Sequence, residues 1–295
     1  MTSAEIVLLA VKASIAGLTF GLGLRSKPED ILSFIERPGL LARSFLALNM
    51  VMPLFAIAMV EAFALRRDLA GTLIALSLSP VPPLLPRKQA TAHGDRSFAV
   101  GLLVVFGVLA IAWIPLAIQG LGLVAGRQFG VPTSAIAWIV ATLIVVPLML
   151  GIALRKYARD FARRIEPAVS LAAALVLLLA AILIVARTAS AMLAQIGDGT
   201  ILVLAAFVVA GLVAGHLLGG PHPQERTDLA LAAACRHPGI ALATAQTAFP
   251  NAQAVPALVA IYLIVNIVIG LPYVKWRARH IAVKASTGGL PEKAT

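Results

Sequence analysis

Long uninterrupted apolar runs constrain this chain more than any other feature. Nine stretches of 19–25 residues carry few charges: about 6–24, 40–64, 69–93, 98–119, 133–154, 168–190, 199–219, 227–248 and 253–274. A helix that crosses a bilayer needs roughly 20 mainly apolar residues. A small soluble domain has no interior large enough for nine all-apolar helices, so the expected fold is all-α and polytopic, with nine crossings. Composition agrees: 60% of residues are hydrophobic and 13% charged, against about 45–50% and 25% in soluble domains. The connections are short and rich in Pro, Gly and charge, and no soluble domain remains. Met1–Glu5 has no basic segment and no small-residue cleavage site follows, so the first run is expected to stay as a span. The end of the chain, 275–295, is expected to be a short, basic, disordered tail.

The net charge of +11 raises the possibility of nucleic-acid binding. The basic residues are spread between apolar runs, which excludes a phosphate-binding patch. They are better read as topology signals. With nine crossings one side collects 16 Lys and Arg, from Arg25 and Lys27 to Lys284 and Lys293, and the other collects 4: Arg66, Arg67, Arg127 and Arg187. The 16-side is expected to be cytoplasmic, with the N-terminus outside, the C-terminus inside, and the protein in the plasma (inner) membrane. The single cysteine, Cys235, excludes a disulfide framework and a cysteine-based metal cluster.

Two spans carry helix breakers at membrane depth. The third contains Pro80, Pro82, Pro83 and Pro86, followed by Arg87, Lys88 and Gln89; the eighth contains Arg236, His237, Pro238 and Gly239. A proline inside a helix removes a backbone donor and clashes with the preceding turn. Arg87 lies eight residues from Asp95, and Arg236 eight from Asp228, about 12 Å at 1.5 Å per residue. Both arginines therefore fall near the midplane. Spans three and eight are five helices apart, hence antiparallel. Interrupted helices in opposed pairs mark inverted-repeat transporters, whose solute site lies where the breaks meet. The competing reading is a pair of proline kinks that serve packing alone. Of the other polar residues within spans, Lys12 is expected to snorkel to the interface, and Gln89 and Gln246 fall near the breaks. A second periodicity, Arg25, Asp30, Ile35 and Glu36 recurring 130 residues later as Arg155, Asp160, Ile165 and Glu166, reads as two amphipathic interfacial linkers or as chance.

Several segments resemble the bile acid:sodium symporter family: Gly21-Leu22-Gly23-Leu24-Arg25-Ser26-Lys27-Pro28-Glu29-Asp30, Met52-Pro53-Leu54, Ser79-Pro80 followed by Gly94-Asp95, and Val146-Pro147-Leu148-Met149-Leu150-Gly151. The span-eight break resembles it too, and the order and spacing match over most of the chain. The resemblance implies two inverted repeats of five helices, with the first helix missing here, as in nine-helix members. It also implies a panel of about 6–24 and 133–190 and a core of about 40–119 and 199–274. The sodium residues of the family do not carry over. Its Pro-Gly-Gly and following polar residues read Pro80-Val81-Pro82-Pro83-Leu84-Leu85-Pro86, its Glu is Ala232, its Gln-Asn is Arg236-His237, and a sodium-ligating position falls near Ala99. The chain looks like a divergent member.

Sodium prefers oxygen ligands, and all thirteen Asp and Glu fall in loops or near span ends. A midplane sodium site is therefore not expected unless backbone carbonyls build it, and neither a metal nor another cofactor is expected. The breaks instead bring Arg87, Lys88, Arg236 and His237 to a common depth, with new half-helices starting at Pro86 and Pro238. Arginine grips carboxylate, sulfate or phosphate groups with parallel hydrogen bonds. The expected partners are a small organic anion and the lipid bilayer, with the fixed cations replacing the charge of sodium. His237 is either a titrating group or a neutral hydrogen-bonding one. A membrane enzyme would need paired carboxylates, a His-rich metal site or an activated nucleophile; none is present, so no enzyme is expected. A sensor would bring a soluble domain, and opposed mid-span breaks suit a carrier better than a channel.

Overall fold

The computed structural model describes residues 3–124, 133–248 and 254–286, and every regular element within them is helical. The elements in order are α1 (Ser3–Arg25), α2 (Pro28–Ile35), α3 (Pro38–Phe45), α4 (Met52–Ala62), α5 (Arg67–Leu78), α6 (Leu85–Thr91) and α7 (Arg96–Val124). They continue with α8 (Thr133–Val140), α9 (Val146–Tyr157), α10 (Arg159–Gln195), α11 (Thr200–Leu218), α12 (Pro223–Ala234), α13 (Pro238–Ala248) and α14 (Val255–Ser286).

Two pairs are continuous through π-helical turns: α3 runs into α4 across Leu46–Val51, and α8 into α9 across Ala141–Val145. Each turn leads into a proline at the second position of the next helix, Pro53 and Pro147. Proline has no N–H, so the carbonyls of Asn49 and Leu143 lose their i+4 donors and the ladder widens locally.

Seven helices among the described residues are long and apolar enough to cross a membrane: Ile6–Arg25, Pro38–Ala62, Ser97–Gly120, Ala137–Tyr157, Arg159–Gln195, Thr200–Leu218 and Val255–Ile281. Seven of the nine expected spans are thus continuous helices. The remaining two apolar runs, 69–93 and 227–248, are each divided into two short helices, α5 with α6 and α12 with α13. None of the four halves exceeds 12 residues.

Two boundaries also differ. α10 runs through Pro167 and starts at Arg159, so Asp160 to Glu166 is helix rather than interfacial linker. Only α2, the first of the two repeated segments, is a short helix between spans. Glu166 is buried against Arg25, 2.5 Å away, and Ser170 Oγ donates to it at 2.7 Å. The two repeated segments thus touch each other. At the other end, α14 continues to Ser286 instead of fraying after Trp276. Buried Arg277 holds that extension: its Nε donates to Thr227 Oγ1 at 2.8 Å and its Nη2 to the Pro223 carbonyl at 2.6 Å. Residues 287–295 lie outside the described residues.

Close packing relies on missing side chains. Gly211, Gly215 and Gly219 form one stripe on α11, and a Cβ at any of them would run into the backbone of α12 at Ala234, Ala230 or Arg226. Small residues four apart let apolar helices approach to backbone contact, the usual device where lipid removes the hydrophobic drive for helix association. Gly23 on α1 meets Gly151 on α9 in the same way. In contrast α10 leaves Leu171, Leu175, Leu178, Leu179 and Ile182 exposed. Such a continuous apolar face is uncommon on a water-soluble monomer and suits contact with lipid.

Candidate functional site

The prolines end α5 and start α6. Ser79 precedes Pro80, and the steric bulk of the ring pushes it to extended backbone, ψ 146°. Its N–H still closes onto the Ala75 carbonyl at 3.0 Å, and its Oγ donates to the Leu76 carbonyl at 2.8 Å. The chain then passes Pro80, Val81, Pro82 and Pro83. It turns where the Leu85 N–H meets the Pro82 carbonyl at 3.0 Å and re-enters helix with Pro86 in the first turn. In the second interruption Cys235 is extended at φ −92°, ψ 109°, and Pro238 opens α13. Proline tolerates that first position because the N–H it lacks would have no helical partner there.

The two interruptions touch. The His237 N–H donates to the Pro80 carbonyl at 2.9 Å. Around this bond the halves pair in reversed order, α5 with α13 and α6 with α12, as two antiparallel segments do.

Arg236 does not offer an unpaired guanidinium. It is 2% exposed. Its Nε donates to the Leu76 carbonyl at 3.1 Å, and its Nη2 to the Leu48 carbonyl at 3.0 Å and to the Ser77 carbonyl. Those acceptors are two carbonyls of the last turn of α5, of which Leu76 also accepts from Ser79, and one carbonyl of the first π-helical turn. A cation there also meets the negative end of the helix dipole. The reason for the difference is local: breaking a helix inside a membrane frees carbonyls that water cannot reach, and the nearest strong donor is drawn onto them.

The second interruption is satisfied from α14. Tyr262 Oη donates to the Ala234 carbonyl at 2.8 Å and accepts the Arg236 N–H at 2.7 Å. Asn266 Nδ2 donates to the same carbonyl at 2.8 Å, and its Oδ1 accepts from Cys235 Sγ at 2.9 Å. Lys88 reaches into this group from α6. Its Nζ lies 3.2 Å from Asn266 Oδ1 and 3.4 Å from Cys235 Sγ, in a gap opened by Gly270. Sequence reasoning did not single out Tyr262. Its signal was the spacing with Asn266, two polar groups four apart on one face of an apolar helix.

His237 is 2% exposed. Its Nδ1 accepts the Ile240 N–H at 3.4 Å, and its Nε2 has no hydrogen-bond partner among the described residues. In the neutral ring an accepting Nδ1 leaves the proton on Nε2, so a donor remains open where the interruptions cross. Gly239 adjoins the same ring and Ile15 of α1. Gln89 is used elsewhere: buried, it donates from Nε2 to the Asp228 carbonyl at 2.9 Å. The backbone of Arg87 lies in α6; its side chain, like that of Gln246, lies outside the described residues. Lys12 is exposed on α1.

A cavity of about 180 Å³ opens beside the first interruption. Pro83, Leu84 and Pro86 form one wall and Leu18, Leu22 and Ser170 another, with Arg25 at its edge. It is mostly apolar with a few polar groups, the usual make-up of a small-molecule site. The structure thus brings Lys88 and His237 to the two interruptions, leaves Gln89 and Arg236 to backbone carbonyls, and puts Pro83 and Pro86 on the cavity. Among the described residues no three of His, Cys, Asp and Glu gather closely enough to hold a metal ion.

No curated protein sequence matches the chain at a significant level. The sodium bile acid symporter family model matches residues 15–195, which runs from α1 through the first interruption to the end of α10. Seven membrane-length apolar helices, an exposed lipid-type face and this match over more than half of the sequence place the chain among integral membrane transporters: it belongs to the sodium bile acid symporter family.

Proposed function

We propose that the protein is a secondary carrier of a small organic anion that works by alternating access and does not use the sodium sites of its family. In this reading all nine apolar runs cross the bilayer, the two interrupted ones as antiparallel partners in an inverted repeat, with the basic-rich side in the cytoplasm. α1, α8, α9 and α10 act as the panel, the remaining spans as the core, and the cavity beside Pro83 and Pro86 lies between them.

One observation carries the proposal. The Arg236 guanidinium donates to the carbonyls of Leu76, Ser77 and Leu48. Backbone carbonyls freed at a helix break are the oxygen ligands a sodium ion would take, and a permanent cation already sits on them. The donor set argues the same way, since among the described residues no cluster of His, Cys, Asp and Glu stands at the crossing. A built-in charge in place of sodium makes the chain a divergent member. Lys88, which is bonded to Asn266, and the open Nε2 donor of His237 are the groups to meet an anion at the interruptions. Neither lines the cavity, whose apolar wall of Leu18, Leu22 and Leu84 suits an amphipathic solute.

The test is uptake into proteoliposomes of two labelled anions, a conjugated bile acid and a short keto acid, with sodium present or replaced by choline. Equal saturable uptake and counterflow of either anion in both media is expected. Strict dependence on sodium would restore the family's usual symport of bile-acid-like anions and overturn the proposal. Lys88→Met is expected to reduce uptake at least tenfold while leaving thermal stability within a few degrees of the parent.

A further inference from the structure

A second polar cluster joins the interrupted segments near their basic-rich ends, away from the crossing. Asp228 stands on α12 one helical turn after Glu225. It is completely buried. Its Oδ2 accepts the Asp95 N–H at 2.6 Å, while its Oδ1 accepts no hydrogen bond from the described residues. Gly94 packs directly against that carboxyl, and a Cβ there would clash with Oδ1. Gln89, itself 1% exposed, holds the Asp228 carbonyl through Nε2, and its own Oε1 is likewise without a donor. Two buried acceptors on touching residues thus lack hydrogens.

The charged surroundings do not supply one. Asp95 and Glu225 act on Asp228 as like charges, and Tyr273 of α14 faces it as a neutral phenol. Glu225 is itself tied to Arg37. Arg226 donates to the Gly220 carbonyl, and Arg277 to Thr227 and Pro223. Among the described residues no cation pairs with Asp228. An isolated buried carboxylate costs several kcal/mol even after the protein relaxes, and the cheaper state of such a group is the neutral acid. Two oxygens offer too few ligands for a metal ion but suit one proton. That proton removes the charge and turns Oδ1 from an unserved acceptor into a donor.

We propose that Asp228 is a proton-binding site: its carboxyl is held as the neutral acid while α6 and α12 are joined, so the Gln89–Asp228–Asp95 contact is a protonated clasp between the two interrupted segments. The site stands independently of which solute is carried. Parting the half-helices would expose the carboxyl and release the proton, and only that last step rests on the alternating-access reading.

Infrared spectroscopy of the reconstituted full-length protein tests the site without any transported solute. At neutral pH the parent is expected to show the carbonyl stretch of a protonated carboxylic acid, and Asp228→Asn to lack it. Absence of the stretch in the parent, or its persistence in the variant, would overturn the proposal. Asn can still accept the Asp95 N–H and donate in place of the acid proton, so the variant is expected to melt near the parent temperature. If it fails to insert, the parent alone decides. Raising the pH above the ordinary carboxylate range is expected to lower the melting temperature while the stretch persists, because only the unfolded chain then gives up the proton, and the fall is expected to level off where the stretch bleaches. A melting temperature that ignores pH, with no stretch to bleach, would mean that the carboxyl is ionised throughout.

Discussion

Arg236 illustrates how burial decides what a charged residue does. On the sequence it is a cation at membrane depth, where insertion costs about 2.5–3.5 kcal/mol. Inside the fold it serves three backbone carbonyls, each worth about 1–3 kcal/mol if left bare. Leu76 also accepts from Ser79, and relief of the other two carbonyls offsets the insertion cost. Arg236→Gln leaves at least one carbonyl unserved and is expected to lose about 1–3 kcal/mol or more. Tyr262→Phe strips the Ala234 carbonyl of one donor and the Arg236 N–H of its acceptor, with an expected loss of similar size. Cys235 reports on both, since it is the chain's only cysteine and is buried at the interruption. Its labelling rate by a fluorogenic maleimide on heating gives the melting temperature. Lys88→Met should lose transport and little stability, because its half-buried ammonium serves side chains rather than orphan backbone.

At the scale of elements, the interruptions depend on the helices around them. α11 presents Gly211, Gly215 and Gly219 to the backbone of α12 near Ala234, Ala230 and Arg226, and this contact sets how closely the segment leading into the second interruption lies against α11. Gly215→Leu must push α12 outward, an overpacking of about 1–3 kcal/mol at least. The expected results are a lower melting temperature and faster Cys235 labelling at room temperature, because α12 carries the thiol with it. A variant that packed and labelled like the parent would show that the glycine stripe is dispensable. The π-helical turns before Pro53 and Pro147 belong to the same scale. A missing N–H widens the ladder, and in the first turn the Leu48 carbonyl becomes an acceptor for Arg236.

For the whole molecule the open quantity is orientation. The 16 to 4 imbalance of Lys and Arg predicts that Tyr157 faces the cytoplasm and Phe63 the outside. Both are exposed, at 82% and 64%. In a Cys235→Ala background, a membrane-impermeant maleimide added to intact cells is expected to label Phe63→Cys and spare Tyr157→Cys. The reverse pattern would invert the topology and move the clasp at Asp228 to the opposite surface.

The helical class, the continuous spans and both interruptions follow from the sequence, because apolar run length and proline placement act locally. Every turn of a membrane helix must close its own hydrogen bonds, and four prolines in seven residues cannot do so wherever they stand. Family membership was legible in short segments such as Gly21–Asp30 for the same reason. The partners of the buried polar groups were not legible. Asp228 and Glu166 read as residues near span ends, and Arg236 read as a free cation. Only tertiary packing brought Gly94 and Gln89 against Asp228, Arg25 against Glu166, and three carbonyls from two other segments against Arg236. Hydrogen-bond satisfaction in a water-free interior is settled between segments distant in the chain, and no local pattern encodes it.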